Sequence, residues 1–354
     1  MTDSINSIPT PAFIVNEALA MRNIAAFQEH CDRKGLSLRP HIKTHKSIRF
    51  AKAQLAAGAI GITCQKISEA EAMIAEGIND ILITYNIIGR DKLERLRALS
   101  ERVQSLSVVA DNSIVVAGLA DAFRDAVRPL SVLVECDTGA GRCGVQTSQA
   151  AVGLAEEIAS NAGLTFGGLM TYPANEGAQQ AVDFLRKTKK MLDERGLACP
   201  VISSGGSPDM WTAETAGVVT EYRIGTYIYN DRSLVERNTC SWDDCAGKVL
   251  ATVVSTPTPT RAIVDAGSKA LTSDLLGCDG YGHVLGYPKI RIVELSEEHG
   301  TLTVDPTNPL KIGDRVKIIP NHVCVVTNLY DQIWIEDANG RYTRLTVDAR
   351  GTVI

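Results

Sequence analysis

Residues 131–172, SVLVECDTGAGRCGVQTSQAAVGLAEEIASNAGLTFGGLMTY, contain the pattern that decides the fold. A β-rich run ends at Asp137, an alanine-rich stretch over Ser148–Asn161 carries apolar residues at helical spacing, and a second β-rich run ends at Tyr172. This order of strand, helix and strand predicts two parallel strands joined by a crossover helix.

The same alternation extends in both directions, from about residue 36 to about residue 230. Eight β-rich runs end at Lys43, Gln65, Asn86, Asp111, Asp137, Tyr172, Gly206 and Gly225. Further helical stretches between them are Ser68–Gly77, Asp91–Val103 and Gln179–Gly196. Eight repeats are typical of a closed (β/α)8 barrel, although a doubly wound sheet has the same local pattern. In either fold, functional side chains are expected at the carboxyl ends of the strands.

After about Trp242 the pattern changes to β segments separated by turns, with no convincing long helix between them. This favours an all-β domain without crossover helices. We therefore predict an α/β protein with a TIM-type (β/α)8 barrel over residues 8–238 and a C-terminal all-β domain over residues 239–354, joined by the N-terminal segment 1–16. A chain of 354 residues is long enough for one large and one smaller domain.

The composition excludes several classes of partner. Lysine and arginine number 36 against 41 aspartates and glutamates, so the net charge of −5 offers no general attraction for nucleic acid or anionic membranes. No apolar run approaches the ~18 residues that span a bilayer, and the N-terminus lacks the basic and apolar regions of a secretory signal. The nine cysteines are therefore expected to be reduced thiols. We predict a cytoplasmic protein with neither a nucleic-acid nor a membrane partner.

The first predicted barrel strand ends in RPHIKTHK, residues 39–46. Residues two apart on a strand share a face, so His41, Lys43 and His45 are expected to point the same way. On the barrel interior Lys43 would be a buried amine whose charged form is disfavoured, which suits an imine-forming lysine. The structural alternative is a solvated basic loop.

Two turns of small residues follow the seventh and eighth predicted strands, where barrels often bind phosphate. In the first, SSGGSP, Ser207 suits the N-cap of a helix, Pro208 suits its first position, and the glycines allow an anion to approach the backbone. An ordinary strand-to-helix turn is the alternative. The candidate phosphate-binding residues are Ser204, Gly205, Gly206, Ser207, Gly225 and Thr226.

Two further segments carry candidate functional groups. Arg142 lies in the glycine-rich loop after Asp137, where a structural salt bridge is the alternative role. His322 and Cys324 stand two apart on a predicted strand and hence on one face. Imidazole and thiolate together suit Zn²⁺, but two protein ligands do not make a closed structural site. Water, substrate or a third group would have to complete it, as in a catalytic metal centre. The alternative is a packed histidine beside a buried cysteine.

Together these segments resemble the D-threonine aldolase and D-serine dehydratase family of fold-type III pyridoxal-phosphate enzymes, which is distantly similar to alanine racemase. The resemblance covers nearly the whole chain and is carried, in the family's order and spacing, by TPAFIV, RPHIKTHKS, GITCQKISEAEA, VECDTGAGRCGV, SSGGS, YRIGTY and PNHVC. RPHIKTHK is the specific motif, whereas the glycine turns are common in other families.

The resemblance implies pyridoxal 5'-phosphate as cofactor, with Lys43 as its Schiff-base lysine. It places Arg142 near the cofactor's phenolate oxygen and Arg223 opposite its pyridine nitrogen. His322 and Cys324 correspond to the ligands of a divalent metal, Zn²⁺ by preference, with Mn²⁺ or Mg²⁺ as alternatives. Lys43 and Tyr172 are the candidate catalytic residues. The full set of cofactor-binding candidates is His41, Lys43, Gln65, Arg142, Tyr172, Ser204, Gly205, Gly206, Ser207, Arg223, Gly225 and Thr226.

The chain departs from the family pattern in two places. Aldolases of the family commonly have aspartate where this chain has Cys324, and dehydratases commonly have cysteine, whereas the segments around Gln65, Arg142 and residues 328–331 are more similar to the aldolases. Both subfamilies usually carry a histidine after the sixth strand, where this chain reads MTYPA, residues 170–174. What replaces that base is left open between Tyr172, a metal-bound hydroxide and Lys43.

The preferred interpretation is an aldolase that cleaves small D-β-hydroxy amino acids to glycine and an aldehyde. The alternatives are a dehydratase of D-serine, D-threonine or 3-hydroxyaspartate that gives a 2-oxo acid and ammonia, an amino-acid racemase, and a non-catalytic carrier of pyridoxal phosphate. A homodimer is expected by analogy with barrel enzymes of this fold.

Overall fold

The computed structural model describes residues 4–211 and 217–354. The chain forms two compact units, of which the first comprises Met1–Ala26, Thr44–Ser47 and Thr226–Gly351, and the second Phe27–Lys43, Ile48–Gly225 and Thr352–Ile354. We call them the β unit and the barrel unit. Residues 1–3 of the predicted joining segment lie outside the described residues, and the limits 8–238 and 239–354 stay a prediction.

The strands of the described residues are β1 (Ala12–Asn16), β2 (Ser37–Leu38), β3 (Ile62–Cys64), β4 (Asp80–Ile83), β5 (Ser105–Ala110), β6 (Leu130–Cys136), β7 (Leu164–Thr171), β8 (Val201–Gly205), β9 (Glu221–Arg223), β10 (Gly247–Thr258), β11 (Arg261–Val264), β12 (His283–Val284), β13 (Arg291–Leu295), β14 (Gly300–Thr303), β15 (Arg315–Ile319), β16 (Gln332–Glu336) and β17 (Tyr342–Thr346).

The α-helices are α1 (Glu17–Lys34), α2 (Ile48–Ala56), α3 (Ile67–Ile74), α4 (Arg90–Arg102), α5 (Ser113–Phe123), α6 (Ser148–Ser160), α7 (Ala178–Asp193), α8 (Arg232–Glu236), α9 (Ser268–Leu271) and α10 (Val323–Leu329). Short 3-10 helices span Ile5–Ser7, Ile42–Thr44, Thr226–Ile228 and Trp242–Asp244. Within the described residues, no helix is long and apolar enough to cross a membrane.

In the barrel unit eight parallel strands lie in the order β2-β9-β8-β7-β6-β5-β4-β3. A bridge between His41 and Thr63 joins the two end strands. Four apolar side chains from the consecutive strands β4 to β7 form one buried cluster, which consists of Leu82, Val109, Leu133 and Met170. The predicted (β/α)8 fold is thus confirmed, and its functional side chains belong at the carboxyl ends of these strands.

The β unit contains a nine-stranded sheet in the order β11-β14-β13-β12-β15-β10-β1-β16-β17. The apolar strand β1 lies inside this sheet, antiparallel to β10 and parallel to β16. Apolar side chains from three distant parts of the chain pack beside it, including Ile8, Ile14, Leu250 and Tyr342. This agrees with the predicted all-β region and includes the N-terminal strand in its sheet.

The prediction that His41, Lys43 and His45 share one face of a strand is wrong. Strand β2 ends at Leu38, His41 makes a single bridge, and Lys43 lies in the 3-10 helix Ile42–Thr44. Backbone hydrogen bonds continue past Pro40, with His41 N donating to Ile224 O, and the 3-10 helix that begins at Ile42 then ends the extended backbone. The strict alternation of side chains is therefore lost before Lys43.

Two other local predictions also require correction. His322 and Cys324 are not on a strand, because His322 is the N-cap of helix α10 and Cys324 lies in its first turn. The buried carboxylate of Asp231 accepts a hydrogen bond from Val323 N at 3.1 Å and thereby stabilises the start of this helix. Residues 208–211 form a turn in place of the helix expected after Ser207, and residues 212–216 lie outside the described part of the chain.

Candidate active site

In the barrel unit three of the candidate cofactor-binding residues form one hydrogen-bonded group. Lys43 N donates to His41 Nδ1 at 3.4 Å, and His41 Nε2 lies 3.2 Å from Gln65 Oε1. Because Gln65 Nε2 already donates to Thr84 O at 2.8 Å, its Oε1 must be the atom that faces His41. The histidine is therefore the Nε2–H tautomer, with Nδ1 as acceptor, and it fixes the backbone that carries Lys43.

The end of strand β8 and the turn after it border a small cavity of about 20 Å³. Its lining includes Tyr172, Ser204, Gly205, Gly206 and Tyr222. Gly206 has φ of +143°, which side chains rarely adopt, and a Cβ on Gly205 would lie 1.9 Å from Arg223 O. Both glycines are therefore required by the backbone at this cavity.

The hydrogen bonds of this turn limit its role as a phosphate cradle. Gly206 N donates to Arg223 O at 3.0 Å, so this amide is already used. Tyr222 Oη donates to Gly206 O at 3.1 Å. Side-chain donors that suit an anion at this cavity are the hydroxyls of Ser204 and Tyr172 and the amide of Asn175, which also line it.

Arg142 lies in the loop after β6 and makes no ion pair with any described residue, so the structural alternative for this arginine is not observed. Its Cζ lies 5.2 Å from the ring centroid of Tyr172, which is 37% exposed. The carboxylate of Asp137 accepts hydrogen bonds from Gly139 N and Gly141 N and so shapes the loop. Burial raises the pKa of Asp137, but these hydrogen bonds outweigh that effect and leave the pKa below its ordinary value.

Arg223 is buried inside the barrel unit. Its Nε donates to Ser203 Oγ at 2.8 Å and its Nη2 donates to Thr171 O. Burial lowers the pKa of Arg223, against the opposing attraction of Glu221 and Glu135. Burial likewise raises the pKa of Glu135, although the positive charges of Arg142 and Arg223 act to lower it. The barrel interior thus contains paired positive and negative groups at its carboxyl end.

In the β unit the imidazole of His322 and the thiol of Cys324 lie close enough to interact electrostatically, although Cys324 is helical. His322 Nδ1 lies 2.7 Å from Asp274 Oδ2, while Cys324 Sγ lies 3.1 Å from Thr44 Oγ1 and 3.3 Å from Thr226 Oγ1. Burial disfavours both the protonated imidazole of His322 and the thiolate of Cys324. The attraction between the two groups and the hydrogen bonds around them outweigh burial, so the pKa of His322 rises to about 9 and that of Cys324 falls below its ordinary value.

The chemistry of this cluster fits a metal with two protein ligands. Asp274 occupies Nδ1 of His322, so Nε2 is the nitrogen left to ligate, beside a thiol whose pKa favours the thiolate. Across the described residues, no group of three or more His, Cys, Asp or Glu side chains is arranged to hold a metal ion. Any metal here would need water or substrate to complete its coordination.

Sequence reasoning missed Asp274 and Thr44 as members of this cluster. Asp274 is distant from His322 in sequence and in a loop, so no spacing signal links the two. The hydroxyl of Thr226, a candidate for phosphate binding, lies 3.3 Å from Cys324 Sγ, and Gly225 and Thr226 fall in different units. Ser207, the next residue after Gly206 in the turn, is buried.

Comparison with known proteins identifies the family. Residues 15–233 match the family model for the alanine racemase N-terminal domain, and residues 246–335 match the model for the serine dehydratase domain. D-threonine aldolase from Arthrobacter is 34% identical, over 93% of this chain and 89% of its own length. D-threo-3-hydroxyaspartate dehydratase from Delftia is 31% identical, over 92% and 93%.

Solved structures give the same result. D-threonine aldolase from Filomicrobium marinum matches with a TM-score of 0.91 at 32% identity, covering 99% of this chain and 98% of the other. A cysteine-to-alanine mutant of a D-threo-3-hydroxyaspartate dehydratase, solved in a metal-free form, matches with a TM-score of 0.89 at 29% identity, covering 98% of each chain. The chain therefore belongs to the alanine racemase-like family of pyridoxal-phosphate-dependent aldolases and dehydratases that includes D-threonine aldolase.

Proposed function

We propose that this protein is an aldolase that cleaves D-β-hydroxy amino acids to glycine and an aldehyde, with pyridoxal phosphate and a divalent metal. The choice of reaction rests on the absence of a histidine among the three residues at the end of strand β7. There Thr171, Tyr172 and Pro173 stand where a histidine base is usual in the family, so Tyr172 is the only titratable side chain among the three. Dehydration requires a base at Cα, whereas retro-aldol cleavage requires only that the β-hydroxyl lose its proton.

The residues of the barrel unit fit the cofactor. When bound, pyridoxal phosphate supplies an electron sink for the bond that breaks at Cα. Lys43 would hold the cofactor covalently through Nζ, and its amine would be a group that moves a proton at the substrate. Arg223 would stay protonated and so keep the pyridine nitrogen unprotonated, while the hydroxyls of Ser204 and Tyr172 would orient the phosphate.

His322 and Cys324 would hold the metal, and their donor atoms favour Zn²⁺ over Mn²⁺ or Mg²⁺. A metal there would supply positive charge that stabilises an alkoxide oxygen, which lessens the need for a protein base. Tyr172 and Lys43 are the groups proposed to move protons at the substrate.

Replacing Asp274 by Asn is expected to weaken Zn²⁺ binding by roughly 10- to 100-fold, because the carboxylate fixes the ring of His322 and makes its other nitrogen more basic. Isothermal titration of the metal-stripped protein measures this directly. Asp279→Asn, at an exposed carboxylate of the same unit, is the control and should bind Zn²⁺ as the wild type does. Equal affinities for wild type and Asp274→Asn would show that Asp274 has no role in metal binding.

The reaction is tested by product analysis with D-threonine and D-phenylserine. We expect equimolar glycine and the matching aldehyde, with turnover of the D isomers only. Stoichiometric ammonia and a 2-oxo acid without glycine would contradict the proposal and establish a dehydratase. Exchange of the Cα proton with no other product would establish a racemase.

The dehydratase is the second candidate, and Cys324 favours it, since dehydratases of the family commonly have cysteine at this position. The relative at 31% identity is itself a dehydratase of D-threo-3-hydroxyaspartate.

A racemase would need a second base, for which no residue of this chain is assigned. A non-catalytic carrier would have no use for the pair formed by His322 and Cys324. We further propose that the protein is a homodimer in the cytoplasm. Its small-molecule substrates are D-amino acids.

A further inference from the structure

Arg223 stands at one end of a chain of hydrogen bonds through the barrel unit. Its Nε donates to Ser203 Oγ at 2.8 Å, and Ser203 Oγ lies 2.5 Å from Glu221 Oε1. Glu221 Oε2 accepts from Arg39 Nε at 2.7 Å, and Arg39 Nη1 donates to Asp80 Oδ1 at 2.6 Å. The charged members alternate in sign from Arg223 to Asp80. Each buried charge therefore has an opposite charge or a polar group beside it.

The chemistry of the groups fixes the direction of every link. A guanidinium only donates and an ionised carboxylate only accepts. Ser203 Oγ must therefore accept from Arg223 and give its own proton to Glu221. Arg39 holds the other carboxylate oxygen of Glu221, so that carboxylate cannot turn away from Ser203 without breaking an ion pair.

Strand geometry and burial make this arrangement rigid. Ser203 on β8 is paired directly with Glu221 on β9, and Arg223 is two residues after Glu221 on the same face. Ser203 is fully buried, Glu221 is 3% exposed and Arg223 is 6% exposed. Water cannot readily replace a lost partner at such positions, so a broken link leaves a polar group unsatisfied.

The same bonds set the plane of the Arg223 guanidinium. Nε is held by Ser203 and Nη2 by the carbonyl of Thr171. Two bonds from one planar group leave it no rotational freedom. Within the described residues, the N–H groups of Nη1 have no hydrogen-bond acceptor, so they are the donors available to a ligand.

We propose that Ser203 and Glu221 are positioning residues, which hold Arg223 so that Nη1 meets the ring nitrogen of pyridoxal phosphate and keeps that nitrogen unprotonated. The inference rests on the cofactor part of the proposed function. It does not depend on which bond of the substrate breaks. Ser203 and Glu221 act through Arg223 and need not touch the cofactor.

The first test uses the protein without cofactor and follows hydrogen exchange at Arg223 Nε by NMR of arginine-labelled protein. Ser203→Ala and Glu221→Gln are expected to raise the exchange rate at least tenfold, since each removes a bond that holds the guanidinium. Ser148→Ala is the matched control, because it also deletes a buried hydroxyl that is bonded to another side chain, Thr188, at 2.9 Å. Unchanged exchange in Ser203→Ala would overturn the proposal.

The second test uses pyridoxal phosphate labelled with ¹⁵N in the ring. Wild type and Ser148→Ala should show the chemical shift of an unprotonated ring nitrogen, whereas Ser203→Ala should shift towards the protonated form and bind the cofactor about tenfold more weakly. Ser203→Ala keeps every charge, so it remains informative if Glu221→Gln fails to fold. Faster exchange with an unchanged ring signal would also overturn the proposal, leaving Ser203 and Glu221 with a role in stability alone.

Failure of the proposed aldolase reaction would be distinct from both results. In that case wild type would release ammonia or exchange a proton in the product assay, while the ring nitrogen signal would still respond to Ser203→Ala. The product assay and the ring signal therefore test separate statements.

Discussion

Replacing Lys43 by Ala is expected to abolish the visible absorbance of the purified protein and to lower turnover by at least ~10³-fold. The backbone amide of Lys43 is tied to His41 and through it to Gln65 in the barrel unit. Without its amine the cofactor has no covalent anchor. Absorption spectra, followed by borohydride reduction and peptide mapping of the wild type, provide the measurement.

Lys46 is the control for this assignment, because it lies three residues further along the same motif. It is buried in the β unit, where its Nζ donates to Ala349 O at 3.2 Å. Lys46→Ala should therefore keep the visible absorbance, whatever its effect on stability. A borohydride label on Lys46, or on any lysine other than Lys43, would refute the assignment.

Exhaustive chelation is expected to remove at least ~99% of the activity while leaving the visible absorbance in place, because a metal with two protein ligands is lost readily and His322 and Cys324 are not cofactor-binding candidates. Metal analysis of the protein before and after chelation, with activity restored by added Zn²⁺, measures the effect. Full activity in protein shown to contain no metal would leave His322 and Cys324 as packing residues.

Replacing Cys324 by Asp carries the metal argument further. A carboxylate is a harder ligand than a thiolate, so the restored activity should shift from Zn²⁺ towards Mn²⁺ or Mg²⁺. Cys240→Ser, at another half-buried cysteine of the β unit, is the control and should keep the wild-type preference. An unchanged preference for Zn²⁺ in Cys324→Asp would show that Cys324 is not a ligand.

The barrel could be predicted from sequence because its signal is repeated. Helix α6, for example, begins at Ser148 as predicted, after an N-cap in which Thr147 accepts from Ala150 N. Each strand is a short apolar run ending in polar or glycine residues, so one misjudged boundary leaves the pattern intact. The family motifs, above all RPHIKTHK, then pointed to Lys43.

Local geometry at the candidate site was harder to predict, because single residues and distant partners decide it. A 3-10 helix begins at Ile42 and ends the extended backbone before Lys43, and a carboxylate distant in sequence, Asp231, supports the start of the helix that carries Cys324. The run HVCVVTN is rich in β-branched residues and favours a strand, yet tertiary contacts make it helical. Asp274 reaches His322 from a loop, and no periodic pattern encodes such a contact.

The position of β1 inside the nine-stranded sheet has a consequence for synthesis on the ribosome. Strand β1 ends at Asn16, whereas its two neighbours begin at Gly247 and Gln332, so it emerges long before either partner exists. The residues between them include all eight barrel strands, which are complete by Arg223. During translation the apolar segment AFIVN therefore has no strand to pair with on either edge. Such unpaired edges are prone to aggregation until β10 and β16 have been synthesised.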